Sequence, residues 1–268
     1  MKKVILLLLL FLSLNSSAES GFLEQEQKTK EMAENSKDFL KVSEKFFSIQ
    51  GEGITVGYPS IFLRLGGCNL LCKSKDWICD SIAVWSKSNK VNFKDVFDTE
   101  DIRNLRRGVH LIITGGEPML HQRQVTRFLN WFESEYSFLP TIEVETNGTI
   151  VPNDEFYNLV SVWNVSPKLS NSGEPFKKRF NERALHFFNN SPKVNWKFVI
   201  SKEPDVNEFL ADYSFISLTD KRMSFMPAGD SLESFAKTDQ MVVELCKELN
   251  IRFCPRLQIS IYNQATGV

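Results

Sequence analysis

The sequence has no excess of charge of either sign. Its 268 residues include 32 Lys and Arg against 33 Asp and Glu, a formal net charge of −1 at pH 7, and no long run carries one sign. A protein that holds a polyanion such as DNA is expected to present a basic surface. The balance of charge therefore argues against a nucleic-acid partner and favours a small-molecule substrate.

The sequence also lacks an apolar run that would span a membrane comfortably. Residues 4–12 are apolar, follow two lysines and precede Ser16-Ser17-Ala18. A membrane-spanning helix needs about 20 apolar residues, whereas a basic start, a short apolar core and a small-residue exit are typical of a secretory signal peptide. This segment predicts no membrane partner, and taken alone it predicts export.

The cysteines make a poor disulfide framework. There are five, and three of them lie between Cys68 and Cys79, with Cys246 and Cys254 far downstream. An odd, clustered set favours a metal site. We interpret the two distal cysteines as small buried hydrophobic residues.

The predicted location of the protein follows from weighing the cysteines against the signal-like segment. Oxygen-sensitive metal chemistry suits a reducing compartment, which favours the cytoplasm. Met32 is a candidate alternative start, so we interpret residues 1–31 as a signal-like or misread segment and residues 32–39 as a linker. The catalytic domain is expected to cover residues 40–268.

Short apolar runs alternate with helical patterns in this domain. Their length and their β-branched or aromatic content predict strands at residues 60–65, 109–114, 141–146, 162–165, 194–200, 223–226 and 257–262. Apolar spacing predicts helices at residues 124–136, 205–213 and 231–249, the last with Asp230 as its N-cap. Residues 86–107 are ambiguous, and residues 170–192 are predicted to be an insertion with a solvated, basic helix face.

Alternation of strand and helix implies an α/β fold with a parallel sheet and right-handed crossovers. About six such units are too few for a complete eight-stranded barrel. The sequence therefore predicts a partial (β/α) barrel with an open parallel sheet.

The cysteine loop, residues 66–80, follows the predicted strand at 60–65. Three closely spaced thiolates can bind three irons of a cubane cluster and leave the fourth iron open to a small molecule. A zinc knuckle normally needs four ligands, and none of the three histidines is spaced to supply the fourth. From the cysteines alone, a cluster is about as well supported as zinc or ordinary thiols.

A Gly-Gly-Glu-Pro turn at residues 115–118 follows the predicted strand at 109–114. Two glycines let the backbone approach a ligand closely, and the carboxylate of Glu117 can receive an ammonium group. Alone, this is common turn material. Because the turn comes one strand after the cysteine loop, the two together favour a cluster site that also binds an amino acid.

Together, these two motifs resemble the radical S-adenosylmethionine (SAM) superfamily. The resemblance implies a [4Fe–4S] cluster on Cys68, Cys72 and Cys79, whose open iron chelates the methionyl group of SAM. The Gly-Gly-Glu segment would hydrogen-bond the amino group. One-electron reduction then cleaves SAM to a 5′-deoxyadenosyl radical, while the protein positions the cofactors.

Further motifs resemble one family in particular, 7-carboxy-7-deazaguanine synthase. They are Phe-Phe-Ser-Ile-Gln-Gly-Glu-Gly at 46–53, Phe-Leu-Arg-Leu-Gly-Gly-Cys-Asn-Leu at 62–70, Cys-Asp-Ser at 79–81, Thr-Gly-Gly-Glu-Pro at 114–118, Glu-Thr-Asn-Gly at 145–148, Ser-Pro-Lys at 166–168 and the ending at 255–268. They occur in the family's order. Ile-Gln-Gly-Glu-Gly is the most specific of them to this activity.

The resemblance implies a radical SAM carbon–nitrogen lyase. It would convert 6-carboxy-5,6,7,8-tetrahydropterin to 7-carboxy-7-deazaguanine with loss of ammonia, a step toward 7-deazapurines such as queuosine. Its cofactors would be the [4Fe–4S] cluster, SAM and Mg²⁺. Its partners would be the pterin and a reducing electron donor such as flavodoxin or ferredoxin, and the oligomeric state is left open, with a homodimer as one option.

The same resemblance implies site residues. The pterin would contact Ile49, Gln50, Gly51, Arg64 and Thr114, with the Arg64 fork on its carboxylate. Cofactor contacts would come from Ile78, Asp80, Gly116, Glu117, Ser166, Pro167, Lys168, Met226, Pro227, Ala228 and Gly229. Ser81 would supply an oxygen to Mg²⁺ where the family has threonine. A simpler interpretation of Arg64 is an ion pair with a neighbouring acid.

The sequence departs from the family's pattern in two places. Six residues separate Cys72 from Cys79 where two are usual, and we interpret residues 73–78 as a loop insertion that leaves Trp77 and Ile78 near the adenine. The tail at 263–268 lacks the basic pair expected before Gly-Val, which leaves its substrate contacts open. Two alternatives remain: a radical SAM activase that installs a glycyl radical on a partner protein, and a secreted zinc-binding module.

Overall fold

One open sheet organises the part of the chain that the computed structural model describes, which is residues 38–75, 78–265 and 267. Its strands are β1 Phe39–Ile49, β2 Pro59–Leu65, β3 Asn89–Asn92, β4 His110–Gly115, β5 Ile142–Thr146, β6 Val162–Val165, β7 Val194–Ile200, β8 Met223–Pro227 and β9 Arg252–Phe253. Their spatial order is β3-β1-β2-β4-β5-β6-β7-β8-β9. Strand β1 is antiparallel to its neighbours β2 and β3, and the other adjacent strands, β2-β4-β5-β6-β7-β8-β9, pair in parallel.

Helices occupy most of the connections between the parallel strands. They are α1 Ile82–Trp85, α2 Thr99–Arg106, α3 Gln122–Tyr136, α4 Asp154–Leu159, α5 Phe176–Arg179, α6 Glu182–Asn189, α7 Pro204–Asp212, α8 Leu232–Ala236, α9 Asp239–Leu249 and α10 Leu257–Tyr262. None of the helices described is long and apolar enough to cross a membrane. The predicted α/β fold with an open parallel sheet is confirmed.

Polar residues at the helix N-termini decide where several helices begin. The side chains of Asp98, Asn153 and Asn181 accept hydrogen bonds from backbone N–H groups in the first turns of α2, α4 and α6. These bonds satisfy donors that a helix leaves without an internal partner. The N-cap of α8 is Ser231, in a capping box with Ser234, and not Asp230 as the sequence predicts.

The two faces of the sheet differ in chemistry. On β7, Val194, Trp196, Phe198 and Ile200 join the main hydrophobic core, which also contains residues from the helices. Between them, Lys197 and Val199 point to the other face, where a cavity lies. Because side chains alternate along a strand, the same strands provide a core face, packed under helices, and a cavity face.

Several predicted elements are wrong or displaced. Residues 257–262 form helix α10 and not the predicted strand. The prediction was wrong because the apolar spacing of six residues fits a helix as well as a strand. The predicted helix at 231–249 is two helices, α8 and α9, separated at Lys237 and Thr238. Strand β1 is missed altogether. It begins at Phe39, inside the predicted linker, and its polar positions conceal its pairing with β2.

The stretch at 170–192 is a crossover and not an insertion. It contains α5 and α6 and connects β6 to β7. Arg179 in this stretch is buried and pairs with Glu208, so at this position the predicted solvated face is wrong. The signal-like segment, the candidate start Met32, the linker up to residue 37 and Trp77 lie outside the described residues.

Candidate active site

A single cavity collects the motifs that the sequence analysis singles out. It lies where β2, β4, β5, β6, β7 and β8 end, as expected for a parallel α/β sheet. All residues predicted to bind substrate or metal line it: Ile49, Gln50, Gly51, Arg64, Thr114, Cys68, Cys72, Cys79 and Ser81. The fold therefore brings together residues that lie up to 65 positions apart in the sequence.

Three free thiols, Cys68, Cys72 and Cys79, share one wall of this cavity. Burial raises the pKa of Cys68 to about 12 and that of Cys79 to about 11, and the neighbouring cysteines add to the rise at Cys68. Thiols are therefore the stable form until a metal displaces the protons, as thiolate ligands require. Three soft sulfur donors on one wall fit an iron–sulfur cluster.

Among residues 38–75, 78–265 and 267, no three His, Cys, Asp or Glu side chains converge as the ligands of one metal ion do. A cubane cluster makes a different demand, because each thiolate binds its own iron. Among these residues the arrangement of the three thiols is therefore compatible with a cluster and does not form a ready site for a single zinc ion.

The Gly-Gly turn after β4 packs directly on the cysteine loop. The N–H of Gly116 donates to the carbonyl of Leu65 at 3.2 Å, and the N–H of Glu117 donates to that of Gly67 at 2.9 Å. A Cβ on Gly116 would collide with the Gly67 carbonyl and the Cys68 side chain. Glycine is therefore required for this contact, which brings the turn's backbone beside the first cluster cysteine.

Glu117, predicted to contact SAM, is held by hydrogen bonds within the protein. Its carboxylate is fully buried and accepts hydrogen bonds from the Thr146 hydroxyl (2.7 Å) and from the backbone N–H groups of Asn147 (2.7 Å) and Met119 (3.0 Å). These bonds tie the end of β4 to the end of β5. Glu117 therefore holds two strand ends together and does not face the cavity, whose lining at this turn is Gly115 and Gly116.

The other predicted cofactor residues divide into two groups. Ile78, Asp80, Gly116, Ser166, Lys168, Met226 and Gly229 line the cavity. Pro167, Pro227 and Ala228 are buried beside that lining and do not form part of it. Ala228 packs in a small apolar cluster with Val199, Met226 and Cys254.

Arg64 is paired with an acid and also faces the cavity. Its Nε donates to Glu44 Oε1 at 2.7 Å, and its Nη1 donates to Ser81 Oγ at 3.0 Å. Its guanidinium also lies over the ring of Phe46, which stacks on Phe62. The ion pair of the simpler interpretation is thus present, and it orients the guanidinium within the cavity.

Comparisons with known proteins agree on one family. The family model described as a 4Fe-4S single cluster domain matches residues 49–187. A curated protein of Pyrobaculum aerophilum, named 7-carboxy-7-deazaguanine synthase, is 33% identical over 234 residues, which cover 85% of this chain and 97% of that protein. The chain belongs to the 7-carboxy-7-deazaguanine synthase family.

Two further matches agree with this assignment. A protein of the same name from Halobacterium salinarum is 30% identical over 248 residues, which cover 84% of this chain and 91% of that protein. A solved structure titled "Crystal structure of QueE from Escherichia coli" is similar with a TM-score of 0.55 and 22% identity, over 81% of this chain and 93% of that one. At this level of identity the second match shows the fold alone.

Membership of this family makes the chain a radical SAM lyase that uses a [4Fe–4S] cluster and SAM. The cysteine wall and the glycine turn fit these two cofactors, since one supplies the thiolates and the other a closely approaching backbone. The secreted zinc module and the glycyl-radical activase are set aside.

A charge network in this synthase-family cavity, largely buried except at Asp80, is missed by sequence reasoning. Glu52 pairs with Lys197 and with Arg256, and Arg256 also pairs with Asp80. Burial by itself raises the pKa of Glu52, but the charges of Lys197 and Arg256 outweigh it and hold that pKa far below its ordinary range. Glu52, Asp80 and Arg256 each lie in a motif quoted above, at 46–53, 79–81 and 255–268, whereas Lys197 lies in none of them.

Three acceptor residues on the cavity lining are missed as well. Glu145 accepts hydrogen bonds from Thr114 Oγ1 (2.7 Å) and Gln50 Nε2 (3.2 Å). Asn164 Oδ1 and Gln258 Oε1 are buried and have no hydrogen-bond partner among the described residues. Glu145 belongs to the Glu-Thr-Asn-Gly motif, whereas nothing in the sequence distinguishes Asn164.

Proposed function

We propose that this protein is a 7-carboxy-7-deazaguanine synthase, which converts 6-carboxy-5,6,7,8-tetrahydropterin to 7-carboxy-7-deazaguanine with loss of ammonia. One observation carries the proposal: residues 49–51 and Arg64 line the same cavity as Cys68, Cys72 and Cys79. A substrate held by residues 49–51 and Arg64 would lie next to a cluster bound by the three cysteines. A radical SAM activase that acts on a protein partner would share the cysteines but has no need of residues 49–53 or Arg64.

The polar groups of the cavity complement a reduced pterin. Arg64 presents a cation for the substrate carboxylate, and its Nη1 already contacts Ser81. The pterin ring carries several N–H donors, which suit the carboxylate of Glu145 on the cavity lining. The amide oxygens of Asn164 and Gln258 are fully buried, against Gly53 and Gly51, and are not offered to a ligand.

The orientation of those two amides follows from their neighbours. Asn164 Nδ2 donates to Glu143 Oε2 at 3.0 Å, and Gln258 Nε2 donates to Glu52 Oε1 at 2.7 Å. Reversing either amide would place its oxygen against a carboxylate. Both oxygens are therefore held away from those carboxylates, and Gln258 Oε1 lies so close to Gly51 that a Cβ there would collide with it.

The chain's own residues hold the reactants and exclude water. When bound, the cluster and SAM supply the one-electron chemistry and the carbon radical that removes hydrogen from C6 of the pterin. Residues 49–51, Thr114 and Glu145 would hold the ring, and Arg64 the carboxylate. Ser166 and Lys168 would contact SAM, with the Lys168 ammonium fixed by Ser166 Oγ at 2.9 Å.

Ser81 would supply an oxygen to Mg²⁺. Its hydroxyl lies between Asp80 Oδ1 and Arg64 Nη1, both at 3.0 Å. Mg²⁺ uses few protein ligands and completes its octahedron with substrate and water, so one serine hydroxyl and the substrate carboxylate suffice as a starting set. A reducing donor such as flavodoxin or ferredoxin and a cytoplasmic location belong to the same proposal, which leaves the oligomeric state open.

An anaerobic turnover assay tests the function. Product and 5′-deoxyadenosine are followed separately with 6-carboxy-5,6,7,8-tetrahydropterin as substrate. Wild-type protein should form both, whereas Arg64→Ala should keep the cluster and slow SAM cleavage but lose most product. Removal of one partner from a buried charged pair costs roughly 2–5 kcal/mol.

Glu44→Gln is the matched control for Arg64→Ala. It removes the ion-pair partner of Arg64 and leaves the guanidinium in place. Product formation should largely survive in Glu44→Gln. Equal losses of product in the two variants would mean that Arg64 acts only through its ion pair with Glu44 and not on the substrate carboxylate. Wild-type protein that cleaves SAM but never converts the pterin would refute the synthase assignment.

A further inference from the structure

Arg256 contacts three walls of the cavity at once. Its side chain is 9% exposed, and its Nε donates to Glu52 Oε1 at 3.1 Å. Its Nη2 donates to Asp80 Oδ2, and its Nη1 donates to the carbonyl of Gly229. Glu52 follows β1, Asp80 follows the third cluster cysteine and Gly229 follows β8. One guanidinium therefore connects the substrate loop, the cysteine loop and the loop after β8.

The contact with Asp80 continues toward the substrate groups. The second oxygen of Asp80, Oδ1, accepts the Ser81 hydroxyl at 3.0 Å, and Ser81 Oγ accepts Arg64 Nη1 at 3.0 Å. The order of contacts is Arg256, Asp80, Ser81 and Arg64. Because Ser81 donates its proton to Asp80, its oxygen lone pairs are directed to Arg64 and to the cavity.

Asp80 stands between two arginines and can be held by either. Asp80 Oδ2 pairs with Arg256, and Asp80 Oδ1 is connected to Arg64 through the Ser81 hydroxyl. Deprived of Arg256, Asp80 has Arg64 as its nearest remaining cation in this chain of contacts.

We propose that Arg256 is a positioning residue that restrains Asp80 and so leaves Arg64 and Ser81 oriented toward the substrate carboxylate. The inference rests on the proposed function, because it assigns a task to a residue within that same site. Without Arg256, Asp80 turns to Arg64 and competes with the substrate for its guanidinium. The substrate then binds more weakly and SAM cleavage becomes uncoupled from product formation.

A double-mutant cycle on the reconstituted holoenzyme tests this task. Arg256→Met should raise the KM and the Kd for the pterin by about 10–100-fold, the usual range for residues that orient ligands of a site. The ratio of 5′-deoxyadenosine to product should rise with it. Kd is measured by anaerobic calorimetry, so binding is read separately from turnover, and iron content reports the cluster.

The second arm removes the charge of Asp80. In the Asp80→Asn background, Arg256→Met should change KM and the product ratio less than threefold, because no carboxylate is left to restrain. Additive losses in the cycle would overturn the proposal, since they would mean that Arg256 acts independently of Asp80. An unchanged product ratio in Arg256→Met would also overturn it.

Arg222→Met is the matched control. Arg222 forms an equally close ion pair, with Asp220, but lies outside the cavity lining. It should lower Tm without changing the product ratio. Should Arg256→Met fail to fold or lose iron, Arg256→Lys is used in the same cycle, because it keeps the charge and shortens the reach. Wild-type protein inactive on the pterin would refute the proposed function, whereas a wild-type enzyme with additive losses refutes only this role of Arg256.

Discussion

The core face and the cavity face of the sheet are built from the same strands, but the core face packs apolar side chains and the cavity face carries the candidate active site. On β5, Ile142 and Val144 enter the hydrophobic core, whereas Glu145 lines the cavity. All residues of β7 are buried. Trp196 packs in the hydrophobic core, whereas the neighbouring Lys197 forms an ion pair with Glu52. Apolar burial stabilises a fold in proportion to area, whereas buried ion pairs add little net stability.

The comparison teaches where stability and chemistry reside. The core face can be dry because helices such as α3 and α9 cover it with aromatic and aliphatic side chains. The cavity face carries many polar and charged side chains, and those charges are held by ion pairs, as in Glu52 with Lys197, or by hydrogen bonds, as in Glu145 with Thr114. Substitutions one residue apart on a strand should therefore have different consequences.

The largest effect is expected at the cysteine wall. Cys72→Ala should abolish both the cluster and turnover, because a cubane held by three thiolates cannot spare one. Iron, acid-labile sulfide and 5′-deoxyadenosine formation are measured after anaerobic purification. Cys246→Ala, on the core side in α9, is the control and should retain all three. Loss of iron from the control alone, or zinc without sulfide in the wild type, would contradict the ligand assignment.

On the core face, Trp196→Ala should cost about 3–5 kcal/mol of unfolding free energy, since it leaves a large cavity under the helices. Denaturant unfolding of the holoenzyme measures it. Val199→Ala is the control on the same strand and lines the active-site cavity. It should cost clearly less, and a larger loss from Val199→Ala would break the comparison between the faces.

Lys197→Met tests whether the cavity face is free of stability effects. It removes one of two cations from the buried Glu52, so the unfolding free energy should fall by up to about 3 kcal/mol, less than for a fully unpaired charge because Arg256 remains. Adding Glu52→Gln should restore part of the loss. If Lys197→Met alone is as stable as the wild type, Lys197 has no role in stability.

The smallest effect is expected at Ser81. Ser81→Ala should leave the cluster and the unfolding free energy nearly unchanged and should raise the Mg²⁺ concentration needed for half-maximal activity. Ser81→Thr keeps the hydroxyl and should behave like the wild type. Mg²⁺ titration of turnover measures both, and identical titrations for the alanine and threonine variants would remove Ser81 from the set of magnesium ligands.

Local pattern was sufficient for the parts of the site that lie within one loop. The spacing of Cys68, Cys72 and Cys79 and the Gly-Gly turn after β4 could be interpreted without coordinates, because their chemistry is contained in a few adjacent residues. Glu117 shows the limit of that method. Its turn suggests a carboxylate that can receive an ammonium group, and only the structure shows that the carboxylate is buried and bonded to Thr146 and Asn147.

By itself, the sequence determined the alternation of strands and helices, the cysteine loop and the family resemblance, since periodicity and short motifs are local properties of a chain. Tertiary structure alone decided that residues 257–262 are a helix, that β1 adds an antiparallel strand, and that Glu52, Lys197 and Arg256 meet. Those three charges lie up to 204 positions apart. Charge pairs of this kind have no periodicity to detect, because they depend on which strand ends the sheet places side by side.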